Sequence, residues 1–134
     1  MILGVDPGER RVGLAIADDE TRFARPLEVV DARSSDPVAR IEAIVRDLGV
    51  RSIVVGKPVG LSGRPGTAME AQQAFVARLE ARLDVPISEF DERLTSIVAE
   101  RALRAGGGKA RSRRRIVDAV AAQIMLQDYL DATR

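Results

Sequence analysis

Short apolar runs separated by turn residues open the chain, and they predict three β-strands. The runs cover residues 2–6, 12–17 and 23–30. Because the connections between them are short, the three strands are expected to form an antiparallel meander. Helical spacing begins at Pro37, which suits a first helical position, with Ser35 or Asp36 as the N-cap. Gly49 is the expected end of this helix.

The second half of the chain alternates between helical and β-strand patterns. Apolar spacing predicts further helices over residues 67–83, 95–105 and 113–130, and strands over residues 52–56 and 85–90. Residues 56–66 hold four Gly and two Pro, which predicts an irregular loop. The order β-β-β-α-β-α-β-α-α is typical of an α/β fold. We expect a mixed sheet, formed by a three-strand antiparallel meander plus parallel strands, with helices on both faces.

Length and hydropathy predict one compact domain spanning residues 1–134. The chain has 134 residues, 46% of them hydrophobic, with no internal repeat or linker. No apolar stretch reaches the roughly 18 residues that a membrane span needs. Because the N-terminus begins directly with a strand pattern, no signal peptide is expected and the predicted location is cytoplasmic.

The composition narrows the chemistry that the chain can perform. It contains no Cys and no His, which excludes a thiol nucleophile, a His general base and a Cys/His zinc site. Catalysis must therefore depend on carboxylates, cations or hydroxyl groups. A hard cation held by carboxylates, Mg²⁺ or Mn²⁺, is the cofactor that these residue types favour.

Three acidic positions stand where buried elements end. Asp6 follows the first apolar run, Asp91 and Glu92 follow the last predicted strand, and Asp118 is expected in the first turn of the final helix. Singly, such acids are more often turn residues, salt-bridge partners or helix-dipole partners. Small Ala residues around Asp118 would let its helix approach Asp6. Taken together, the acids predict a divalent-cation site of the kind that hydrolyses phosphodiesters.

Basic residues cluster shortly before Asp118. Residues 104–115 carry six cations and no acid, which leaves a net charge of −5 on the rest of a chain whose total is +1. A solvated loop is the simpler interpretation of such a run, but its position favours a polyanion site. Aromatic residues form only 3% of the chain, and we assign its three Phe residues to the core. Binding should therefore depend on backbone phosphates and shape, through Lys57, Arg64, Arg93, Lys109, Arg111, Arg113, Arg114 and Arg115.

Six segments recur, in order, in a known family. They are Gly4-Val-Asp-Pro-Gly8, Arg11-Val-Gly13, Ala24-Arg-Pro26, Ile53-Val-Val-Gly56 with Pro58, Asp91-Glu-Arg-Leu-Thr-Ser96 and Val117-Asp-Ala-Val-Ala-Ala122. Over essentially its whole length, the chain closely resembles the YqgF/RuvX family, small RNase H-like proteins related to the RuvC Holliday junction resolvases. The Asp91–Ser96 segment is the most specific of the six.

The resemblance implies an RNase H-like fold and a Mg²⁺- or Mn²⁺-dependent endonuclease. The positions that match the family's acidic residues are Asp6, Glu92 and Asp118, with Asp91 an open alternative to Glu92 as metal ligand. Family members are described as nucleases that mature the 5′ end of pre-16S rRNA and as Holliday junction resolvases. The implied substrate is thus structured nucleic acid, either branched DNA or an rRNA precursor. A homodimer is a further expectation, because a four-way junction offers two symmetric strands.

Two other classes of protein compete with a nuclease. One is a non-catalytic nucleic-acid-binding module that keeps the fold and has lost turnover, although the three acids argue against it. The other is an actin-like or sugar-kinase-like phosphotransferase, whose first strand also carries an Asp-x-Gly turn. Such phosphotransferases close two domains around the nucleotide, whereas this chain predicts one.

Overall fold

The architecture is a five-stranded sheet with helices on both faces. The structure, a computed structural model, describes the backbone of residues 1–57, 66–91 and 110–133 and the side chains of residues 1–57, 69–90 and 118–133. Its elements are β1 Ile2–Pro7, β2 Arg11–Ala17, β3 Ala24–Asp31, α1 Pro37–Leu48, β4 Ser52–Lys57, α2 Gly66–Arg82, β5 Ile87–Asp91 and α3 Ala110–Ala132. The helix predicted over residues 95–105 and most of the loop predicted over residues 56–66 lie outside the described residues.

The sheet is mixed, in the order β3-β2-β1-β4-β5. β1, β2 and β3 form an antiparallel meander, and β4 and β5 lie parallel to β1, which confirms the predicted topology. Parallel strands end at the same side of a sheet. The ends of β1, β4 and β5, at Pro7, Lys57 and Asp91, therefore define one border, which we call the carboxyl edge.

Side chains alternate between two faces that differ in size. One face carries large aliphatic residues that pack against α1 and α2, among them Leu3, Val5, Leu14, Ile16, Ile53 and Val55. The other face packs against α3. Ala15 and Ala17 of β2 lie there beside Met125 and Leu126, and the larger Ile2 and Val54 belong to the same cluster. This period-two alternation divides the core into two layers, one on each face of the sheet.

Helix α1 begins and ends as its sequence predicts. The Asp36 carboxylate accepts a hydrogen bond from the amide of Val38, 3.1 Å away, and Pro37 is the first helical residue. Gly49 ends the helix with φ 65°, a left-handed conformation that favours glycine. Of the two candidate caps, the structure selects Asp36.

Two expectations from the sequence are wrong. Helix α3 begins at Ala110, before the predicted start at Arg113. Phe23, assigned to the core, is 70% exposed, because it lies in the turn before β3 beside Arg22, whose φ is 57°. In the part of the chain that the structure describes, no helix combines the length and apolarity needed to span a membrane.

Candidate active site

Asp6 lies at the carboxyl edge, in the penultimate position of β1. It is half-buried and pairs with Gly13 of the neighbouring β2. The turn that follows is tight: a Cβ atom on Gly8 would lie 2.6 Å from the carbonyl oxygen of Arg11. A side chain at position 8 would therefore force the turn open and move the end of β1.

Asp118 reaches the same place from α3. A Cβ atom on Gly13 would lie only 2.1 Å from the carbonyl oxygen of Asp118, so the helix backbone rests directly on β2 at this position. Residues that face each other in an antiparallel pair have Cα atoms about 4.5–5.5 Å apart. Because Asp6 faces Gly13, the structure brings Asp6 and Asp118 together on the α3 face.

The reason predicted for the position of Asp118 is wrong in part. The helix starts eight residues before Asp118, which removes Asp118 from the first turn and from the strongest effect of the helix dipole. The small helical residues do contribute, since Ala121 and Ala122 are buried. The decisive feature is on the sheet, however. Gly in a strand interior often marks the close approach of another backbone. Gly13 is such a residue, and it could have predicted the contact with α3.

Arg11 is a site residue that the sequence reasoning missed. Its Nε donates a hydrogen bond to Oδ2 of Asp118 at 2.7 Å, and the two side chains are 33% and 29% exposed. The alternation along β2 offered a signal, because Arg11 and Gly13 share one face. The Arg11 guanidinium therefore pairs with the carboxylate that the sequence assigns to metal binding.

The third predicted acid lies beyond the described side chains. The backbone of Asp91 closes β5 opposite Lys57, two strands and about 10 Å from β1. Glu92 and the side chain of Asp91 lie outside the described residues, and among the described side chains no three acids form a metal-binding group. Among the described residues, the carboxylates of Asp6 and Asp118 supply hard oxygen donors of the kind that Mg²⁺ and Mn²⁺ prefer, so this pair fits such a cation.

Most of the predicted phosphate-binding cations fall outside the described side chains. Arg64, Arg93 and Lys109 are not among the described residues. Arg111, Arg113, Arg114 and Arg115 lie in the first two turns of α3, where only the backbone is described. The last four cations of the run therefore belong to the helix that carries Asp118.

Lys57 is exposed at the carboxyl edge and lines a cavity of about 70 Å³ beneath α2. Gln72 and Glu89 line it too. The Gln72 side chain is 6% exposed, and neither its amide oxygen nor its nitrogen has a hydrogen-bond partner within the described ranges. A cavity of this size accommodates about two water molecules. Such waters would supply the hydrogen bonds that the buried Gln72 amide lacks among the described residues.

Comparison with known proteins identifies the family. Residues 1–132 match the RuvX family, described as Holliday junction resolvase. The chain belongs to the RuvX family. A relative from Chloroflexus aggregans is 48% identical over 99% of this chain and 94% of its own length. Another from Anaeromyxobacter dehalogenans is 45% identical over 96% and 95%. Both carry the name "Putative pre-16S rRNA nuclease".

Solved structures share the fold of this RuvX chain at low sequence identity. RuvC from T. thermophilus, in complex with a Holliday junction substrate, aligns with a TM-score of 0.58 and 20% identity over 98% of this chain and 94% of that one. The Fowlpox virus resolvase, in complex with Holliday junction DNA, aligns with a TM-score of 0.58 and 9% identity over 98% and 97%. At these identities the likeness concerns the fold alone.

These comparisons confirm three predictions from the sequence. The family is RuvX, the fold is RNase H-like, and the class of protein is a nuclease, a hydrolase of phosphodiester bonds in nucleic acid. The roles of individual residues remain predictions.

Proposed function

We propose that this chain, as a single domain, is a divalent-metal-dependent endonuclease that hydrolyses phosphodiesters in structured nucleic acid. Asp6, Glu92 and Asp118 would hold Mg²⁺ or Mn²⁺, with Asp91 as the alternative to Glu92. Nucleases of RNase H-like fold generally use divalent metals. The same acids are the catalytic residues of the proposal.

The observation that carries this proposal is the contact between α3 and Gly13. The Asp118 carbonyl oxygen is 2.1 Å from the position of an absent Cβ, and Asp6 faces the same glycine from β1. Two neighbouring carboxylates repel each other, so the arrangement favours a cation between them. Arg11 supplies positive charge there, through its hydrogen bond to Asp118.

Each acid has a distinct support for its task. Asp6 is fixed by the β1–β2 pairing and by the tight turn at Gly8. Asp118 is fixed by the packing of α3, and its carboxylate accepts a hydrogen bond from Arg11, with which a metal ion would compete. A bound divalent cation would supply the activation of water and the stabilisation of the leaving oxygen that phosphodiester hydrolysis needs. The chain itself contributes rigid placement of the donors and cations for the flanking phosphates.

The names of the relatives and of the family point to two substrates. A pre-16S rRNA precursor and a four-way DNA junction both present duplex phosphate backbones at a branch or an end. We extend the proposal to either substrate, to a cytoplasmic location and to a homodimer on junctions. The homodimer would match the two symmetric strands of the junction.

The test compares wild-type protein with Asp6→Asn, which keeps the size of the side chain and removes its charge. Cleavage would be followed on a synthetic four-way DNA junction and on an rRNA precursor with its 5′ leader, each with Mg²⁺ or Mn²⁺. We expect loss of cleavage by Asp6→Asn with an unchanged unfolding temperature.

The products decide between the substrates. Asp6-dependent paired nicks in the junction would indicate a resolvase, and trimming of the leader alone would indicate an rRNA-processing nuclease. Wild-type cleavage rates in Asp6→Asn would refute the assignment of Asp6. Tight binding without cleavage under every metal condition would favour the non-catalytic module instead.

A further inference from the structure

A groove of about 420 Å³ lies at the edge of the sheet formed by β2 and β3. Four arginines line it, namely Arg10, Arg11, Arg33 and Arg40. Arg11 joins the groove to the acids, because the same side chain donates to Asp118. A strand of nucleic acid lying in this groove would thus have its backbone beside Asp118.

The charges in the groove are only partly neutralised. Arg40 donates to both carboxylate oxygens of Glu28, at 2.8 and 2.7 Å, and this pairing raises the pKa of Arg40. Asp31 also lines the groove. In contrast, the exposed guanidinium groups of Arg10 and Arg33 form no ion pair with any residue that the structure describes. Among the described residues, Arg10 and Arg33 are therefore groove cations that lack an ion-pair partner and face solvent.

Hydrogen bonds fix the backbone segments that carry Arg10 and Arg33 relative to each other. The amide of Ala32 donates to the carbonyl oxygen of Arg10 at 2.7 Å, which joins the β1–β2 turn to the loop after β3. Asp31 organises that loop: its carboxylate accepts from the Arg33 amide, and its carbonyl oxygen accepts from the amides of Ser34 and Ser35. Because the backbone is already held, only the freedom of the two side chains is lost when they bind an anion.

We propose that this groove, with Arg10 and Arg33 as its principal contacts, is a phosphate-binding subsite for the nucleic-acid strand that enters the acidic site. The ligand class is a phosphodiester backbone, which DNA and RNA share. The inference rests on the proposed nuclease function. It adds a set of phosphate contacts at the β2–β3 edge, formed by residues other than those of the basic run.

The test measures binding without cleavage, in full-length Asp6→Asn protein with Mg²⁺. Fluorescence anisotropy of a labelled four-way DNA junction and of a labelled rRNA precursor hairpin would be recorded over a series of KCl concentrations. Each phosphate contact contributes about 1 to the slope of log affinity against log salt. The double variant Arg10→Gln/Arg33→Gln should lower this slope by about 2 and raise Kd about tenfold near physiological salt.

The matched control removes two charges elsewhere. Arg46 and Arg51 are exposed and lie outside the groove, so Arg46→Gln/Arg51→Gln has the same net charge as the groove variant. An unchanged Kd for the groove variant, or an equal loss for both doubles, would overturn the proposal. Loss on one probe only would support the groove and identify whether DNA or RNA occupies it.

The two proposals can fail separately. If wild type cleaves a substrate and the groove variant binds it normally, the groove is wrong and the nuclease proposal stands. If wild type cleaves neither substrate while the groove variant binds either probe more weakly, the nuclease proposal fails and the groove remains a polyanion site.

Discussion

The two faces of the sheet differ in how closely their helices approach. On the α1–α2 face, large residues such as Leu14 and Ile53 fill the space between helix and sheet, and both are fully buried. On the α3 face, Gly4 and Gly13 leave no space at all. A Cβ on Gly4 would lie 2.9 Å from the Cβ of Leu126, and one on Gly13 would meet the helix backbone.

The two faces serve different purposes: one mainly stabilises the fold, and the other positions Asp118. Burial of large aliphatic side chains supplies most of the hydrophobic stabilisation, and the α1–α2 face holds most of it. Small residues on the α3 face bury less apolar area, but they let α3 pack closely against β2. Since Asp118 lies at the closest point, we infer that this face is shaped by the site and the other by folding.

The largest expected effect is on the α1–α2 face and concerns stability only. Leu14→Ala removes a fully buried side chain, and we expect the free energy of unfolding to fall by about 2–5 kcal/mol. Cleavage per folded molecule should stay within about twofold of wild type, because Leu14 points away from Asp118. Urea unfolding and an assay at low temperature would measure the two quantities.

A milder variant tests the same prediction if Leu14→Ala does not fold. Leu14→Val removes one methylene and should cost about 1 kcal/mol. A large loss of cleavage in well-folded Leu14→Val would contradict the separation of the two faces.

The next largest effect is on the α3 face, and it concerns both the free energy of unfolding and the rate of cleavage. Gly13→Ala places a methyl group against the Asp118 carbonyl, so α3 must move. Overpacking of this kind costs about 1–3 kcal/mol in unfolding free energy. Displacement of a reacting group by about 1 Å can lower a rate about 100-fold, and we expect cleavage to fall by that order. Urea unfolding and single-turnover cleavage would measure both.

Gly4→Ala is the matched control for Gly13→Ala. It adds the same methyl group on the same face, but against the side chain of Leu126 and two turns along α3 from Asp118. Stability should therefore fall while cleavage is affected less. Equal losses of cleavage in both variants would mean that the whole helix moves as a unit, and that Gly13 has no special part in placing Asp118.

A smaller effect is expected where Arg11 meets the acids. Arg11→Gln removes the cation from Oδ2 of Asp118, which leaves the carboxylate more available to a metal ion. We expect the Kd for Mn²⁺, measured by calorimetry, to fall about tenfold, equivalent to about 1.4 kcal/mol. Arg11→Lys keeps the charge and should change this Kd less. Weaker Mn²⁺ binding by Arg11→Gln would show that Arg11 supports the metal site instead of competing with it.

Much of the fold could be predicted because its signals are local. The meander follows from short turns between apolar runs, and α1 follows from Asp36, Pro37 and Gly49. Phe23 was misplaced because a turn beside the left-handed Arg22 interrupts the strand pattern. The start of α3 was misplaced because its first turns are polar and basic, without the apolar periodicity that marks a helix.

The residues of the candidate site could be proposed from the sequence, whereas their geometry could not. Asp6 is predicted as the acid that ends the first apolar run, and Asp118 as an acid in the first turn of the final helix. Their proximity depends on Gly13, and the partner of Asp118 is Arg11, more than a hundred residues away along the chain. Such contacts between distant residues leave no periodic trace in one sequence, whereas a glycine inside a strand does leave a clue.

The smallest effect tests whether charges on the α1–α2 face serve stability alone. Asp36 caps α1 and pairs with Arg78 of α2 at 3.0 Å, with Arg82 at 3.8 Å. Asp36→Ala removes the cap and should lower the free energy of unfolding by about 1 kcal/mol, measured by urea denaturation. Cleavage should not change. Asp36→Asn keeps a good cap and loses only the exposed ion pairs, so its cost should be smaller.

The pH dependence of this last effect follows from the pKa of Asp36. Burial raises that pKa, but the Val38 amide and the two arginines outweigh burial and leave it below the ordinary 3.8. A lowered pKa means that the charged form stabilises the fold above the unfolded-state pKa, and that this contribution disappears as pH falls through the folded-state value. The difference between wild type and Asp36→Ala should therefore be constant near neutral pH and shrink below about pH 4. A difference that grows on acidification would mean that the charge of Asp36 opposes folding.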